Sequence, residues 1–574
     1  MRWMAWITAF LLVALPVLLF TRTGYPAVVF LKWCGTFSIV AYGSGFCGFY
    51  LLSRRDNVKL AFPEMFWFLM AFLFALQPFF ISIRSFPEWL RNWYFFAFLG
   101  GAVFLFRNLP IEKVLSWILR SISFTGAIST SFGFIQTTWP EKRFPFIMNT
   151  SAAPDRFLGN TGLDGILGVY LALAVIAGFW LLLNEKQRFC WLIDSFLLPC
   201  NCLGLWKTGA RSAFIACFVG VIVLLCSSRE KRRALKIFFY AIASLIVMGA
   251  VFFSWSPELL RIERRDMSLL LRLEQFSSTQ EGRWTIWNVS GEMIKKNPIW
   301  GVGLGNYKWN YMDAMASLGE KGNFPRHYTY WAHNEYLQWT AETGFAGAAL
   351  LFSFLTWAAV RCAKKLKGKN GDALSWALAA MAVLAVDACF SRPFHHVDTA
   401  FTLSLVLGLI SRLAVPPMNL TRLGQGIVGG GIVIASVLGI YLFASALPRQ
   451  NYLGENFYNP FYLTLLTSAE REKIWNPLFV RDAFQQLLAR ENVMRAQIEG
   501  KEKDMEQNQL DAIRTLENYF ATQPRFDELN ELLLLYQKRK EYEKGKPYLK
   551  YYPPEERRKF EDDSFEGKYM GDGS

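Results

Sequence analysis

Residues 163–183 read LDGILGVYLALAVIAGFWLLL, with a single charged side chain near the start of the run. Roughly 20 apolar residues in an α-helix cross a hydrocarbon core of about 30 Å, so this run predicts a membrane-spanning helix. Similar runs recur up to Ser445, and together they predict an all-α, polytopic transmembrane helical bundle of about 12–13 spans. The predicted spans are 5–20, 27–52, 62–82, 90–106, 113–137, 163–183, 189–206, 211–226, 234–254, 343–361, 372–391, 398–411 and 424–446.

The composition favours the same class of protein. Of the 574 residues, 53% are hydrophobic, 16% are aromatic and only 19% are charged, which is the direction in which long apolar runs shift a composition. The formal net charge of +15 is compatible with nucleic-acid binding, but the excess lies in the membrane half of the chain. We therefore predict that the partners of this charge are membrane lipids and not nucleic acid.

The basic residues of the short loops set the predicted orientation, because Lys and Arg near span ends favour the cytoplasmic side. They concentrate in alternate loops, as at Arg54, at Arg107 and at 229–233. This pattern puts the N-terminus inside, and an odd number of spans puts the C-terminus outside. The first span follows Arg2 without a small-residue cleavage pattern, so we expect a retained helix. The predicted location is the bacterial inner membrane, and we expect the active site and the C-terminal segment after the last span to face the periplasm.

Two predicted outer regions define the domain organisation. We predict a transmembrane domain at residues 1–446, with a large periplasmic loop at 255–342, and a helical periplasmic domain at residues 447–574. The loop is rich in Trp, Tyr and Ile, which indicates that it folds.

The tail contains a segment, ENYFATQPRFDELNELLLLYQKRKEYEKGKPYLKYYPP, that resembles one tetratricopeptide-type helical unit. Pro524 opens its helix and Pro553 ends the next one. One such unit cannot bury its own apolar face, so either the preceding segments 479–498 and 507–520 pack on it or an envelope protein partner does. Both bracing of the domain and protein binding stay open as its role.

Within the outer loop, the sequence predicts a helix followed by a glycine turn. Trp284, Trp287 and Ile294 fall at helical spacing, and Pro298 stops the helix. The run GVGLGN at 301–306 is not a dinucleotide fingerprint, because no strand precedes it. Its glycines provide either backbone freedom for a tight turn or direct ligand contacts.

Three outward residues predict a site for phosphate binding and proton transfer. Arg211 begins a helix at the outer boundary, Arg283 opens the loop helix and His333 closes the same loop. A guanidinium grips phosphate oxygens with a planar fork and stays charged at any working pH. An imidazole can take a proton from a hydroxyl near neutral pH. The pattern therefore predicts glycosyl transfer from a lipid diphosphate.

Each of these assignments has a competing interpretation. Arg211 is also explained as a snorkelling anchor at the membrane boundary. His327 competes with His333, although its neighbours indicate a solvated turn. For His395-His396, a structural or acceptor-side role is favoured over a metal pair, because consecutive residues point apart. The outer loop shows no carboxylate cluster with metal-ligand spacing, so we predict neither a metal nor another cofactor.

Four motifs occur in order along residues 120–412. They are FLGNTGLDGILGVYLAL, GARSAF, RWTIW with NPIWGVGLGNY, and AHNEYLQWTAETGFAG. They resemble the Gly-Asn segment, the Arg-Ser helix start, the loop motif and the His-Asn signature of the O-antigen ligase superfamily. This superfamily also contains O-antigen polymerases and bacterial protein O-oligosaccharyltransferases. The resemblance implies an all-helical glycosyltransferase that inverts the anomeric carbon without a metal.

Carried over residue by residue, the resemblance implies that Arg211 and Arg283 hold the donor diphosphate and that His333 activates the acceptor hydroxyl. The predicted substrate-binding residues are Lys207, Trp284, Asn334, Gly303, Asn306 and Asn160. Ala210 and Asp164 depart from the family pattern, and the second departure bears on the role of Asn160.

The predicted function is an O-antigen ligase-like transfer of a glycan from an undecaprenyl-diphosphate donor to an acceptor at the periplasmic face. Lipid A core, a growing glycan and a protein stay open as acceptors, which correspond to a ligase, a polymerase and a protein O-oligosaccharyltransferase. A polysaccharide transporter would also need about a dozen spans, but the sequence shows no inverted repeat or paired broken helices. A scaffold would leave the loop motifs unexplained.

Overall fold

A computed structural model describes residues 2–19, 25–53, 58–148, 156–228, 230–255, 276–320, 329–456, 502–522 and 526–562. Every regular element in these ranges is helical, and they contain no strand. The prediction of an all-α fold is confirmed for this part of the chain.

The helices of the first half are α1 (Arg2–Ala9), α2 (Tyr25–Leu52), α3 (Phe62–Ala75), α4 (Gln77–Phe80), α5 (Phe86–Asn108), α6 (Leu115–Thr138), α7 (Asp164–Asn184), α8 (Arg188–Thr208), α9 (Arg211–Ser227) and α10 (Lys231–Trp255). Those of the second half are α11 (Phe276–Lys296), α12 (Tyr307–Glu320), α13 (Glu335–Lys364), α14 (Gly371–Asp387), α15 (Val397–Ala414), α16 (Arg422–Asn456), α17 (Glu502–Thr522), α18 (Phe526–Lys538), α19 (Tyr542–Gly545) and α20 (Pro554–Glu561). A 3-10 turn at Lys546–Tyr551 links the last two.

Eight helices in the described ranges are long and apolar enough to cross a membrane, which confirms a membrane protein. These segments are Gly35–Leu52, Phe62–Phe80, Leu115–Thr138, Asp164–Asn184, Arg188–Thr208, Glu335–Lys364, Val397–Ala414 and Arg422–Tyr441. Two shorter apolar segments, Arg2–Leu18 and Arg211–Ser227, lie where further spans are predicted. Helices α5, α10 and α14 also coincide with predicted spans. The total of about 12–13 spans stays a prediction.

The chain divides into two compact units. Unit 1 comprises Met1–Met70, Phe96–Arg272 and Leu351–Ala444, and unit 2 comprises Ala71–Phe95, Leu273–Leu350 and Ser445–Ser574. Unit 2 therefore combines parts of the predicted outer loop and of the tail with a segment from the first third of the chain.

Helix α7 is the centre of unit 1. Every residue from Ile166 to Leu182 is buried, as expected for a helix that is apolar on all sides. Helices α6, α8, α9 and α14 pack around it. Small residues permit this close packing: a Cβ built on Gly204 would lie 2.0 Å from Oγ1 of Thr130.

Two groups of buried or partly buried charges in unit 1 form ion pairs, which lowers the cost of taking them out of water. Nζ of Lys32 donates to Oδ1 of Asp398 at 2.7 Å and to the main-chain oxygen of Asn160 at 3.0 Å. Arg120 donates to both oxygens of Asp194, at 2.9 and 2.8 Å, and to Glu185 at 2.7 Å. The first group joins α2 to the start of α15, and the second joins α6 to α8.

Unit 2 has one hydrophobic core that the loop helices and the tail build together. The core includes Val289 and Met293 of α11, Met312 and Met315 of α12, and several residues of the tail. The tail residues of this core are Ala512, Ile513, Leu516, Phe520, Leu529, Leu532, Leu533, Leu535, Tyr536, Leu549, Tyr551, Tyr552 and Phe560. The apolar face of the tail unit is thus covered by α17 and by the loop helices.

A polar contact fixes the same junction. The hydroxyl of Tyr551 donates to Oδ1 of Asp313 on α12 at 2.7 Å, and Arg84 is ion-paired with the other oxygen of that carboxylate. Of the two alternatives for covering the tail unit, residues of the segment 507–520 do share its core, while Pro524 and 479–498 lie outside the described residues. The tetratricopeptide-like assignment and an envelope protein partner stay predictions.

Replacing Leu533 by alanine tests this shared core. Leu533 is fully buried, so Leu533→Ala should lower the free energy of unfolding of unit 2 by about 2–5 kcal/mol. Hydrogen exchange followed by mass spectrometry should then show faster exchange in α11 and α12 as well as in the tail. Leu510→Ala, at an exposed position of α17, is the control and should change neither. Exchange that speeds up in the tail alone would contradict a common core.

Candidate functional site

The three predicted catalytic residues differ in where they lie relative to the helices. Arg211 is the first residue of α9 in unit 1 and is exposed. Arg283 lies inside α11, seven residues after its first residue, so the prediction that it opens this helix is wrong: the helix begins earlier, at Phe276. His333 lies two residues before the start of α13, and both residues are in unit 2 and partly exposed. Unit 2 therefore contains two of the three residues, and its contacts are described first.

His333 has an unusual backbone conformation. Its φ of 49° is in the left-handed region, where the described non-glycine residues include only one other, Lys540. A side chain in this region costs about 1–2 kcal/mol and persists only where the surroundings hold it. Asn334 contributes by capping α13: its Oδ1 accepts from the main-chain N–H of Leu337 at 3.1 Å.

The residue before His333 is held on both sides. The N–H of Ala332 donates to Oε1 of Gln338 at 3.2 Å, and its carbonyl accepts from Nε1 of Trp287 at 3.1 Å. Trp287 lies four residues after Arg283 on α11, so the helix that carries Arg283 is hydrogen-bonded next to His333. Trp284 is 59% exposed and makes an edge contact with Trp287, with ring centroids 5.5 Å apart.

The glycine turn packs against a kink in α13. Gly344 has φ 70° and ψ 178°, which breaks the helical ladder. In an unbroken helix the N–H of Phe345 would donate to the carbonyl of Ala341. Instead it donates to the carbonyl of Pro298 at 2.8 Å, and the Ala341 carbonyl accepts from the N–H of Val302 at 2.8 Å. The kink thus exchanges one helical hydrogen bond for two bonds to the loop.

Glu342 extends this contact. Its main-chain oxygen accepts from the N–H of Gly303 at 2.9 Å, and its Oε2 accepts from the N–H of Gly305 at 2.7 Å. Gly301, Gly303 and Gly305 all have positive φ, between 69° and 97°. Backbone freedom, the first of the two interpretations of these glycines, therefore accounts for their presence. A direct ligand contact by Gly303 stays a prediction.

Asn306 lies at the end of the same turn and is fully buried. Its Oδ1 accepts from the N–H of Ser85 at 2.8 Å, and its Nδ2 donates to the carbonyls of Ser85 and Leu304, each at 3.1 Å. The side chain joins the turn to the segment before α5. A substrate contact through this amide is untested and would have to coexist with these three bonds.

Gln77 is a residue that the sequence reasoning missed. Its Nε2 donates to the carbonyls of Trp300 and Glu342 at 2.9 and 3.0 Å, and its Oε1 accepts from Nε1 of Trp89 at 3.0 Å and from the N–H of Leu304 at 3.2 Å. All four partners are supplied within unit 2. The sequence offered one signal for Gln77: it is a polar residue, followed by a proline, inside an otherwise apolar run.

A buried ionic group lies beside the glycine turn. Glu88 is paired with Arg91 and with Lys308, whose Nζ lies 3.4 Å from Oε1 of Glu88. Burial raises the pKa of the Glu88 carboxyl, but the charges of Arg91 and Lys308 outweigh this effect, and the net pKa is lowered. The Lys308 ammonium also lies 6.0 Å from the ring of Trp331, which places fixed positive charge two residues from His333.

The predicted residues of unit 1 occupy two places. Asn160 is fully buried: its Nδ2 donates to the carbonyls of Leu18 and Phe146, each at 2.8 Å, and its Oδ1 accepts from the N–H of Met148 at 3.0 Å. Lys207 lies in the last turn of α8, which ends at Gly209 in the left-handed conformation before α9 begins. Substrate contacts of both residues stay predictions.

The remaining histidines are the pair His395-His396 and His327. His396 caps the start of α15; burial lowers the pKa of its imidazole, and the positive charges of Arg392, His395 and Lys32 lower it further. His327 lies outside the described residues. Among the residues that the structure does describe, no group of three or more His, Cys, Asp or Glu side chains is placed to hold a metal ion.

Comparison with known proteins adds a family to this geometry. The sequence model of a family described as O-Antigen ligase matches residues 195–352, which include Arg211, Arg283 and His333. Residues 195–352 of this chain therefore match an O-antigen ligase domain. The resemblance inferred from the four motifs is confirmed, and with it a polysaccharide or O-antigen ligase type of function in a membrane protein.

Curated relatives of the ligase domain have related names. A Rickettsia felis protein named "Putative polysaccharide ligase" is 24% identical over 339 residues, which are 57% of this chain and 73% of the relative. A Rickettsia conorii protein of the same name is 28% identical over 211 residues, 36% of this chain and 46% of the relative. The exopolysaccharide production protein ExoQ of Rhizobium meliloti is 24% identical over 245 residues, 42% of this chain and 54% of the relative.

The kink of the ligase domain is testable at Gly344. A Cβ at this position would lie 2.0 Å from the carbonyl oxygen of Ile299, and φ is positive, so Gly344→Ala should destabilise unit 2 by at least ~2 kcal/mol. Gly291→Ala, where nothing lies within 4 Å of the added Cβ on α11, should be neutral or stabilising by up to about 1 kcal/mol. The measurement is the unfolding temperature of both variants in detergent; equal shifts would show that the kink is not constrained.

Proposed function

We propose that the ligase domain transfers a glycan from a lipid-linked diphosphate donor, of the undecaprenyl class, to a hydroxyl acceptor at the outer face of the bacterial inner membrane. The observation that carries the proposal is that one family match, 195–352, contains all three predicted catalytic residues. A second support is the Trp287–Ala332 hydrogen bond, which couples the helix of Arg283 to the segment of His333. The loop charge pattern supports the orientation.

The proposed chemistry assigns one role to each residue. Arg283 and Arg211 bind phosphate oxygens of the donor and stabilise the negative charge that grows on the leaving diphosphate. His333 takes the proton of the acceptor hydroxyl while the acceptor oxygen forms its bond to the anomeric carbon. The bond from that carbon to the diphosphate breaks on the opposite face, so the configuration inverts. The two guanidinium groups supply the positive charge, and no step passes through a metal.

The acceptor class distinguishes a ligase from a polymerase. The names of the two Rickettsia relatives favour ligation, to lipid A core or another envelope acceptor. The name of the Rhizobium relative, an exopolysaccharide production protein, favours extension of a polysaccharide, so polymerisation is the second candidate. Transfer to a protein would be catalysed by the same residues. A transporter or a scaffold would not need His333.

Substitution of the three residues tests the proposal. His333→Ala should lower transfer by about 10²- to 10⁴-fold, because the base is lost. Arg283→Ala and Arg211→Ala should each lower it at least ~100-fold, which corresponds to about 3 kcal/mol of barrier. The measurement is the envelope glycan profile of cells with the chromosomal substitution, with lipid-linked intermediates extracted in parallel; donor should accumulate while the transferred glycan disappears.

Arg143→Ala is the matched control, since Arg143 is an exposed arginine outside the proposed site. It should leave the glycan profile unchanged. Arg283→Lys separates charge from geometry: it keeps the charge but loses the planar fork, so transfer should be only partly restored. A normal profile with His333→Ala would refute the proposed base and return the transporter and scaffold readings to consideration.

A further inference from the structure

A carboxylate and an amide connect the glycine turn to the segment of His333. Glu342 and Gln338 are both fully buried and lie one turn apart on α13. Oε2 of Glu342 accepts from the N–H of Gly305 at 2.7 Å, and its Oε1 accepts from Nε2 of Gln338 at 3.1 Å. Oε1 of Gln338 then accepts from the N–H of Ala332 at 3.2 Å. Three hydrogen bonds therefore lead from residue 305 to the residue before His333.

The direction of these bonds is set by chemistry. Both carboxyl oxygens of Glu342 accept a hydrogen bond, one from Gly305 and one from Gln338, so Gln338 must turn its NH₂ group toward Glu342. The carbonyl oxygen of Gln338 is then left for the N–H of Ala332. Reversal of the amide would place two donors opposite each other at Ala332 and lose the bond to Glu342. The carboxylate thus dictates which atom faces Ala332.

Ala332 in turn determines the backbone at His333. Gln338 holds its N–H, which belongs to the peptide before Ala332, and Trp287 holds its carbonyl, which belongs to the peptide that leads into His333, so Ala332 is held on both sides. The left-handed φ of His333 needs such support, because the isolated residue prefers other conformations. Asn334 caps α13 immediately afterwards but does not contact Ala332 through its capping bond.

We propose that Glu342 and Gln338 are positioning residues for His333, and that the polarity of their hydrogen bonds sets the direction in which the imidazole is presented. This role rests on the proposed function where it concerns proton transfer, but the geometric part is independent of it. Both side chains are fully buried, so this role requires no contact with substrate. The alternative is that Glu342 only anchors the glycine turn, in which case the contact to Gln338 would be dispensable.

An exchange of the two side chains separates these roles. With Glu342→Gln alone, either Gly305 or Gln338 loses its acceptor, because an amide side chain has one oxygen where the carboxylate has two. With Gln338→Glu alone, two carboxylates face each other. With both substitutions, the carboxylate at 338 accepts from Ala332 and from the amide at 342, whose oxygen accepts from Gly305. The double variant keeps the net charge and restores all three hydrogen bonds. Only the bond between the two side chains changes direction, because residue 342 now donates and residue 338 accepts.

A chemical probe reads the position of His333 directly. The purified full-length protein is treated with diethyl pyrocarbonate, and the rate of modification of each of its four histidines is measured by mass spectrometry. We expect each single substitution to change the rate at His333 several-fold and to leave the rates at His395 and His396 unchanged. The double variant should return the rate at His333 to that of the unchanged protein. The unfolding temperature is recorded for each variant.

Glycan transfer in cells is the second readout. The single substitutions should lower transfer on the order of 100-fold, the usual cost of misplacing a catalytic group by about 1 Å, and the double variant should recover most of it. Gln507 and Asp511 provide the matched control, because they form an exposed amide–carboxylate pair at the same spacing on α17, 3.1 Å apart. Gln507→Glu and Asp511→Asn should change neither readout.

The outcomes distinguish this proposal from the proposed function. Unchanged modification of His333 in both single variants, or no recovery in the double variant, would overturn the positioning role. If His333→Ala itself transfers normally, the base assignment fails, and the modification rates still decide whether Glu342 and Gln338 position the residue. Loss of transfer in the single variants with unchanged modification of His333 would assign Glu342 to the glycine turn alone.

Discussion

The hydrogen bonds between residues 298–305 and the kinked start of α13 are the interaction on which unit 2 depends. A helix that continued through Gly344 would keep the carbonyl of Ala341 for its own ladder, and the loop would have no main-chain partner there. The kink separates the Ala341 carbonyl from its helical donor, the N–H of Phe345. The loop then satisfies both groups: the N–H of Val302 donates to Ala341, and the carbonyl of Pro298 accepts from Phe345. Neither segment satisfies its backbone without the other, which is a strong constraint for buried polar groups.

This constraint explains why so many buried polar side chains gather in one place. Gln77 satisfies two main-chain carbonyls, Asn306 joins the turn to Ser85, and Glu342 accepts from two donors. A fully connected network of this kind is rigid, whereas an incomplete one would be costly. A rigid support suits His333, the proposed base, whose backbone is held in an unfavourable conformation. The core shared with the tail adds apolar burial to the same loop helices, so the tail also stabilises α11 and α12.

The sequence predicted the parts of this arrangement that depend on local pattern. Apolar runs and helical spacing located α7, α8 and α11, and Pro298 correctly marked the end of the loop helix, which finishes at Lys296. Gln77 and Glu342 were not predicted, because their contact joins residues 265 positions apart and leaves no periodic signal. The amphipathic face of the tail showed that a partner was needed, but amphipathicity does not identify the partner, and the loop helices were not foreseen in that role.

The glycines of the turn differ in what constrains them, and this difference follows from how residues 298–305 pack against the kink in α13. All have positive φ, but a Cβ on Gly301 would meet the backbone of Glu342 at 2.4 Å, whereas one on Gly303 would meet the side chain of Ile83 and one on Gly305 the side chain of Asn92. Backbone cannot move without breaking the bonds that hold the kink, while an isoleucine methyl or an asparagine amide can rotate. Gly301 is therefore constrained by conformation and contact together, and Gly303 mainly by conformation. A smaller residue at position 83 would make room for a side chain at Gly303, but the positive φ of Gly303 would still disfavour one. The backbone geometry of the turn therefore constrains its sequence more strongly than the neighbouring side chains do.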